Sequence, residues 1–207
     1  MLEAFKHPRV RDLAWVMYSP SMLKDDTPQH SVFTEEDCEL LFDKALDKLY
    51  ELEKNPTPLL SYLERFPSQR VGRYFEILVQ YWLEHLTEFE VIASNLQIHK
   101  GKRTLGEIDF LFSHHNQLIH WETAVKYFIQ LTPDCDEQEY IGPNAADNLA
   151  LKKARLLNIQ LPRSTRENLN HELGALNGID SIRRQAFFKG WLFYSKPYET
   201  NSNCLSS

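Results

Sequence analysis

The sequence predicts an α/β fold: a helical first third, a strand-rich middle, one further helix and a last strand. Three observations carry this. All seven glycines lie at or after Gly72, so the early chain lacks the residue most costly to a helix interior after proline. Apolar residues recur at helical spacing up to Leu86. From Glu88 the period shortens to that of a pleated strand.

Each element follows in order. HPRVRDLAWVMYSP reads as a helix closed by Ser19-Pro20, and SPSMLKDDTPQH as a loop. Thr34 opens TEEDCELLFDKALDKLYELEK with acids in the first turn, where they offset the helix dipole. Leu40, Leu41, Ala45, Leu46, Leu49 and Tyr50 form its expected apolar stripe. NPTP stops that helix, and Thr57 and Pro58 suit the start of PLLSYLERF. Ser68 suits the cap of a further helix, SQRVGRYFEILVQYWLEHL. Three strand-like runs come next, FEVIASNLQIHK, TLGEIDFLFS and QLIHWETAVKYFIQL, the last two expected to form an antiparallel hairpin. IGPNAADNLALKKARLLNIQL returns to helical spacing, with Asn144 or a neighbour as cap. SIRRQAFFKGWLFYS ends in a short aromatic strand over residues 190–194. Residues 1–66 thus read as a helical part packed on a core of residues 67–200, with 201–207 as a flexible tail.

Composition excludes several classes. With 43% hydrophobic and 25% charged residues the chain is neither disordered nor fibrous. No run reaches the roughly 18 apolar residues of a membrane span. The charged start MLEAFKHPRVRDLAW lacks a signal-peptide core. Cys38, Cys135 and Cys204 are too scattered for a disulfide framework or a metal cluster, so the expected location is the reducing cytoplasm. Net charge is −6, but residues 1–140 hold 14 Lys/Arg against 24 Asp/Glu while residues 141–207 hold 9 against 5. An acidic chain is not an obvious nucleic-acid binder, yet this asymmetry leaves room for a local basic surface.

The hairpin carries the chemistry. Strand alternation puts Glu107, Asp109 and Leu111 on one face of the first strand, and Glu122, Ala124 and Lys126 on one face of the second. A turn centred on His115-Asn116 sets Asp109 across from Glu122, with Cβ atoms about 4.5–5.5 Å apart. Two carboxylates so close repel unless a cation lies between them, and oxygen ligands suit Mg²⁺ or Mn²⁺. Lys126, two steps along the same face, is placed to orient a water or stabilise a pentavalent phosphate. Glu76, on the helix before the sheet, offers a third carboxylate, with Arg73 one turn back. Softer features read two ways. Gly142-Pro143-Asn144 is a phosphate-binding helix start or a plain turn. Lys152, Lys153, Arg155, Arg163 and Arg166, like Lys100, Lys102 and Arg103, are a backbone-binding surface or a solvated one. His114, His115 and His120 do not read as a metal site, because the first two occupy the turn.

This order of elements and residues resembles the PD-(D/E)XK nuclease superfamily, whose restriction-endonuclease-like core runs helix, three-stranded antiparallel meander, helix and strand. More narrowly, HPRVRDLAW, GRYFEILVQYWL, NLQI, TLGEIDFLF, ETAVKYF and the stretch from GPN to NIQL resemble the bacterial domain-of-unknown-function family 1853, over about residues 5–195. The resemblance implies a restriction-endonuclease-like core with an N-terminal helical extension. The superfamily motif falls on Glu76, Asp109 and Lys126. The position two before the lysine is Ala124, and the acid stands instead at Glu122.

The expectation is therefore metal-dependent hydrolysis of phosphodiester bonds in DNA or RNA. Asp109 and Glu122 would hold Mg²⁺ or Mn²⁺, Glu76 would touch it directly or through water, and Lys126 would position the attacking water. The alternative is a nuclease-fold module that has lost turnover and binds nucleic acid or a protein. A third reading has the acidic N-terminal helices docking a protein partner. No reading involves a membrane.

Overall fold

Helix α1 (Pro8–Tyr18) begins on a proline, whose missing N–H is no loss in a first turn, and buries Val10, Leu13, Ala14, Val16 and Met17. This computed structural model describes residues 1–23, 32–131, 138, 140–143, 145–174, 176 and 178–194. Helix α2 (Glu35–Lys54) opens on a capping box: Thr34 Oγ1 accepts from Asp37 N at 3.1 Å, and the Asp37 carboxylate accepts from Thr34 N at 3.2 Å. Its buried stripe is Cys38, Phe42, Ala45, Leu49 and Leu52, rotated from the expected one, so that Leu40 and Tyr50 are exposed. Helix α3 (Thr57–Glu64) takes its cap from upstream, Asn55 Oδ1 accepting from Thr57 N at 3.3 Å. Helix α4 (Val71–Tyr81) starts after Arg70 rather than Ser68. The Ser68 hydroxyl is used in the preceding turn, where it accepts from Arg70 N. A π-helical turn, Trp82–Leu86, carries the chain to the sheet.

The sheet contains β1 (Glu90–Lys100), β2 (Arg103–His114), β3 (Gln117–Gln130), β4 (Tyr140–Ile141) and β5 (Ser181–Phe193). Strands β1, β2 and β3 form an antiparallel meander, and β5 lies parallel to β3 along its other edge, from Gln117↔Ser181 to Ile129↔Phe193. The expected short strand at 190–194 is only the end of β5. Its first half escapes a period-two reading because Arg183, Arg184 and Gln185 find polar partners far along the chain. The β2–β3 turn is the two-residue His115-Asn116, with both φ values positive (46° and 58°), the geometry whose twist suits a hairpin.

Between β4 and β5, helix α5 (Leu149–Arg155) is capped by Asn148, whose Oδ1 accepts from Leu151 N at 2.8 Å. Asn144, the cap anticipated from sequence, lies outside the described residues, and Gly142-Pro143 does not open the helix directly. A π-helical turn (Leu156–Gln160) and a helix not anticipated, α6 (Arg166–Leu173) with Thr165 as cap, complete the crossover.

Both faces of the sheet are covered. On one, α1–α4 pack against Phe110, Phe112, Ile119, Trp121 and Phe187. On the other, Leu149, Leu156 and Leu161 pack against Ala124, Phe128, Ala186 and Phe188. Among the described residues no helix is long and apolar enough to cross a membrane.

Candidate active site in the sheet fork

One edge of β3 is shared by two partners that leave a gap. Strand β2 pairs with it only as far as Phe110↔Trp121, and β4 takes Ile129 and Gln130. Among the described residues, no strand occupies that edge between Glu122 and Phe128. Asp109 and Glu122 stand at the mouth of this fork, one register step beyond the last pair. The Asp109 carboxylate fills part of the gap: its Oδ2 accepts from Thr123 N at 2.7 Å and from Thr123 Oγ1 at 3.1 Å.

Glu122 is fully buried. Its Oε2 accepts from Gln160 Nε2 at 2.5 Å, and its Oε1 lies 3.0 Å from His120 Nε2. The far ring nitrogen of His120 lies 2.8 Å from Ser164 Oγ, which accepts from Arg184 Nε at 3.0 Å. Burial depresses His120 to about 3, so the ring is neutral at pH 7. Burial pushes Asp109 up to about 7, with the charge of Glu122 and then that of Glu76 adding to it, against the Thr123 hydrogen bonds. Glu122 is likewise raised to about 7 by burial, opposed by Arg163, Lys152 and the Gln160 amide.

Glu76 comes from α4 on the opposite face and is held by Arg73 Nη1 at 3.0 Å. Lys126 lies two alternations along β3 from Glu122, and its Nζ donates to Asp147 Oδ2 at 2.6 Å. The structure thus brings Asp109 and Glu122 together, leaves Glu76 within electrostatic reach of Asp109, and gives Lys126 a carboxylate partner outside the pair. Among the described residues, no three His, Cys, Asp or Glu side chains form a ready metal cage. Two carboxylates still suit a hard cation of Mg²⁺ type, which keeps several waters and takes one or two protein oxygens.

Residues the sequence did not flag for this site complete it. Lys152 on α5 is half-buried and feels Lys126, Asp109 and Glu122, so burial and Lys126 lower its pKa while the two acids raise it. His120 was detectable in principle, two residues before Glu122 and so on its face. Gln160 and Ser164 were not, because only the crossover brings them there. Arg163 and Arg166, candidates for a basic surface, serve structure instead. Arg163 packs on Gly106, where φ is 145° and a Cβ would strike the guanidinium, and it donates to Glu107 O at 3.1 Å. Arg166 donates to Leu176 O and Ile179 O. His114 and His115 lie tilted against each other at the turn, with ring centroids 4.0 Å apart, away from His120.

In a comparison with known protein families, residues 11–205 match a domain of unknown function termed DUF1853. No curated protein and no solved structure matches the chain.

Proposed function

We propose that this chain, which belongs to the DUF1853 family, is a metal-dependent phosphodiester hydrolase with a PD-(D/E)XK nuclease-like core, acting on DNA or RNA. The observation that carries the reading is the carboxylate pair at the fork. Glu122 is buried and Asp109 half-buried at the same fork, within electrostatic reach, and both have pKa values raised to about 7, an arrangement a divalent cation would relieve. Asp109 and Glu122 would hold Mg²⁺ or Mn²⁺, with Glu76 reaching it through water. When bound, such an ion lowers the pKa of a coordinated water toward neutrality.

The chain's own residues supply the rest. The Gln160 amide and His120 hold the two Glu122 oxygens, so the carboxylate does not swing toward solvent. Thr123 fixes Asp109 through two hydrogen bonds to one oxygen, leaving Oδ1 for a ligand. Lys152, within electrostatic reach of both acids, places positive charge where a phosphate would gain it. Lys126 Nζ, released from Asp147, orients the attacking water.

The test is calorimetric titration of Mn²⁺ into wild type and Asp109→Asn, followed by incubation with single- and double-stranded DNA and RNA. Saturable binding lost in the variant, and cleavage lost in Asp109→Asn and Lys126→Ala, is expected. Cleavage untouched by both substitutions would remove the assignment.

A second reading, a module that binds nucleic acid without cutting it, is favoured by two features. Ala124, where the superfamily usually carries an acid, packs in the second core, and Lys126 is already paired. It predicts binding that survives both chelation of metal and Asp109→Asn.

A further inference from the structure

Beside the fork, on the helical face of the sheet, α1, α4, β3 and β5 enclose a pocket of about 390 Å³. Its wall is a ladder of three nearly parallel rings. Trp15 stacks on Trp191 at 4.0 Å and 2°, and Trp191 on Tyr127 at 5.0 Å and 5°. The ladder is not sealed into the core: Trp191 is 38% exposed, and Val71, at the pocket's rim, is 49% exposed. Trp and Tyr rings spend little rotamer entropy when a flat group lies against them, and a pocket near 400 Å³ is sized for a small planar ligand rather than a protein segment.

Charge narrows the ligand. Helices α1 and α4, with the cap residue Arg70, carry Arg9, Arg11, Arg70 and Arg73 against Asp12 and Glu76, a cationic balance in a chain of net −6. Arg9 lies over the Tyr74 ring at 5.0 Å and pairs with Asp12. Arg11 lines the pocket and makes no ion pair with another described residue. A purely apolar ligand has no use for it, whereas a base carried on a phosphate backbone does. The pocket lies on the opposite face of β3 from Lys126, because Val125 and Tyr127 alternate with it, and it shares α4 with Glu76, which Tyr74 and Phe75 directly precede.

We propose that this pocket receives a nucleobase of single-stranded nucleic acid, stacked against the Trp15–Trp191–Tyr127 ladder, with Arg11 meeting the adjoining phosphate. The inference rests on the reading above only for the identity of the polymer. A base inside a duplex has both faces occupied by its neighbours, so the pocket selects a single strand.

The test is fluorescence anisotropy of a labelled single-stranded dodecamer on the full chain, in a metal chelator so that cleavage plays no part. Competitors are the same strand with abasic sites, the matching duplex, and AMP. Loss of one stacked base raises Kd roughly tenfold. That rise is expected for Trp191→Ala and for Val71→Trp, which fills the pocket from an exposed position and leaves the ring ladder in place. Abasic strand and duplex should compete at least about tenfold more weakly. Equal binding of the abasic strand, or wild-type binding by Val71→Trp, overturns the pocket, whatever cleavage shows. AMP competing as well as the strand overturns the assignment to a polymer. Base-dependent binding without cleavage under any metal leaves the pocket standing and removes the hydrolase.

Discussion

Asp109 and Glu122 hold their protons more tightly in the folded chain than in the unfolded one, both being raised to about 7. Between roughly pH 4 and pH 7 the folded state therefore binds more protons, and stability falls as pH rises. Their contribution is fully present below the unfolded carboxylate range and is lost through pH 7. His120, depressed to about 3, runs the other way: its contribution is present above the unfolded histidine value and is lost as pH falls toward 3. Asp109→Asn removes one member of the acid pair, so its melting temperature should exceed that of wild type at pH 8 by a few degrees, at roughly 2–4 °C per kcal/mol for a chain of this size. The gap should close at pH 5. Millimolar Mg²⁺ should raise the melting temperature of wild type at pH 8 and leave the variant unmoved. A variant less stable than wild type at pH 8 would mean that the Thr123 hydrogen bonds outweigh the repulsion.

The elements are held by local devices that can be tested singly. The α2 capping box joins Thr34 and Asp37 reciprocally, and Thr34→Ala should cost about 1 kcal/mol, read by urea denaturation. Gly190 pairs with Lys126 across β3 and β5, and a Cβ there would strike the Lys126 carbonyl and the Met22 sulfur. One of the two atoms it meets is backbone, so Gly190→Ala should cost about 2 kcal/mol by forcing the strands apart. The same shift would displace Lys126, so the proposed hydrolysis should fall further than stability alone explains. Unchanged melting together with unchanged activity would show that β5 yields freely at this position.

At the scale of the whole molecule, the N-terminal helices and the sheet bury one another. Phe5, Leu13, Phe42 and Leu59 share a cluster with Phe110, Trp121 and Phe187. The fully buried Lys189 of β5 adds a polar tie: its ammonium donates to Ser19 O at the end of α1 and lies 3.1 Å from Cys38 Sγ on α2. Residues 67–207 without residues 1–66 should therefore fail to give dispersed amide signals in solution, since the sheet's helical face would be stripped. Lys189→Ala should cost about 3 kcal/mol, the penalty for opening a cavity and leaving the Ser19 carbonyl unpartnered. A well-dispersed spectrum from residues 67–207 would show that the sheet stands on its other core alone.

What the sequence by itself determined is what depends on near neighbours. The helix start at Thr34 and the turn at His115-Asn116 follow from spacings of two to four residues and from a two-residue turn that sets register. The rotated stripe of α2 marks the limit of that reading, because which apolar face turns inward is chosen by the surface it meets. Tertiary structure alone decided the parallel pairing of β5 with β3, the open edge of β3, and the partners of the buried acid. Gln160 reaches Glu122 across 38 residues, and Arg184 reaches Ser164 across 20. No local period encodes such contacts. They form because the crossover through α5 and its π turn buries Leu149, Leu156 and Leu161 on the sheet, and that burial carries the polar side chains beside them to the fork.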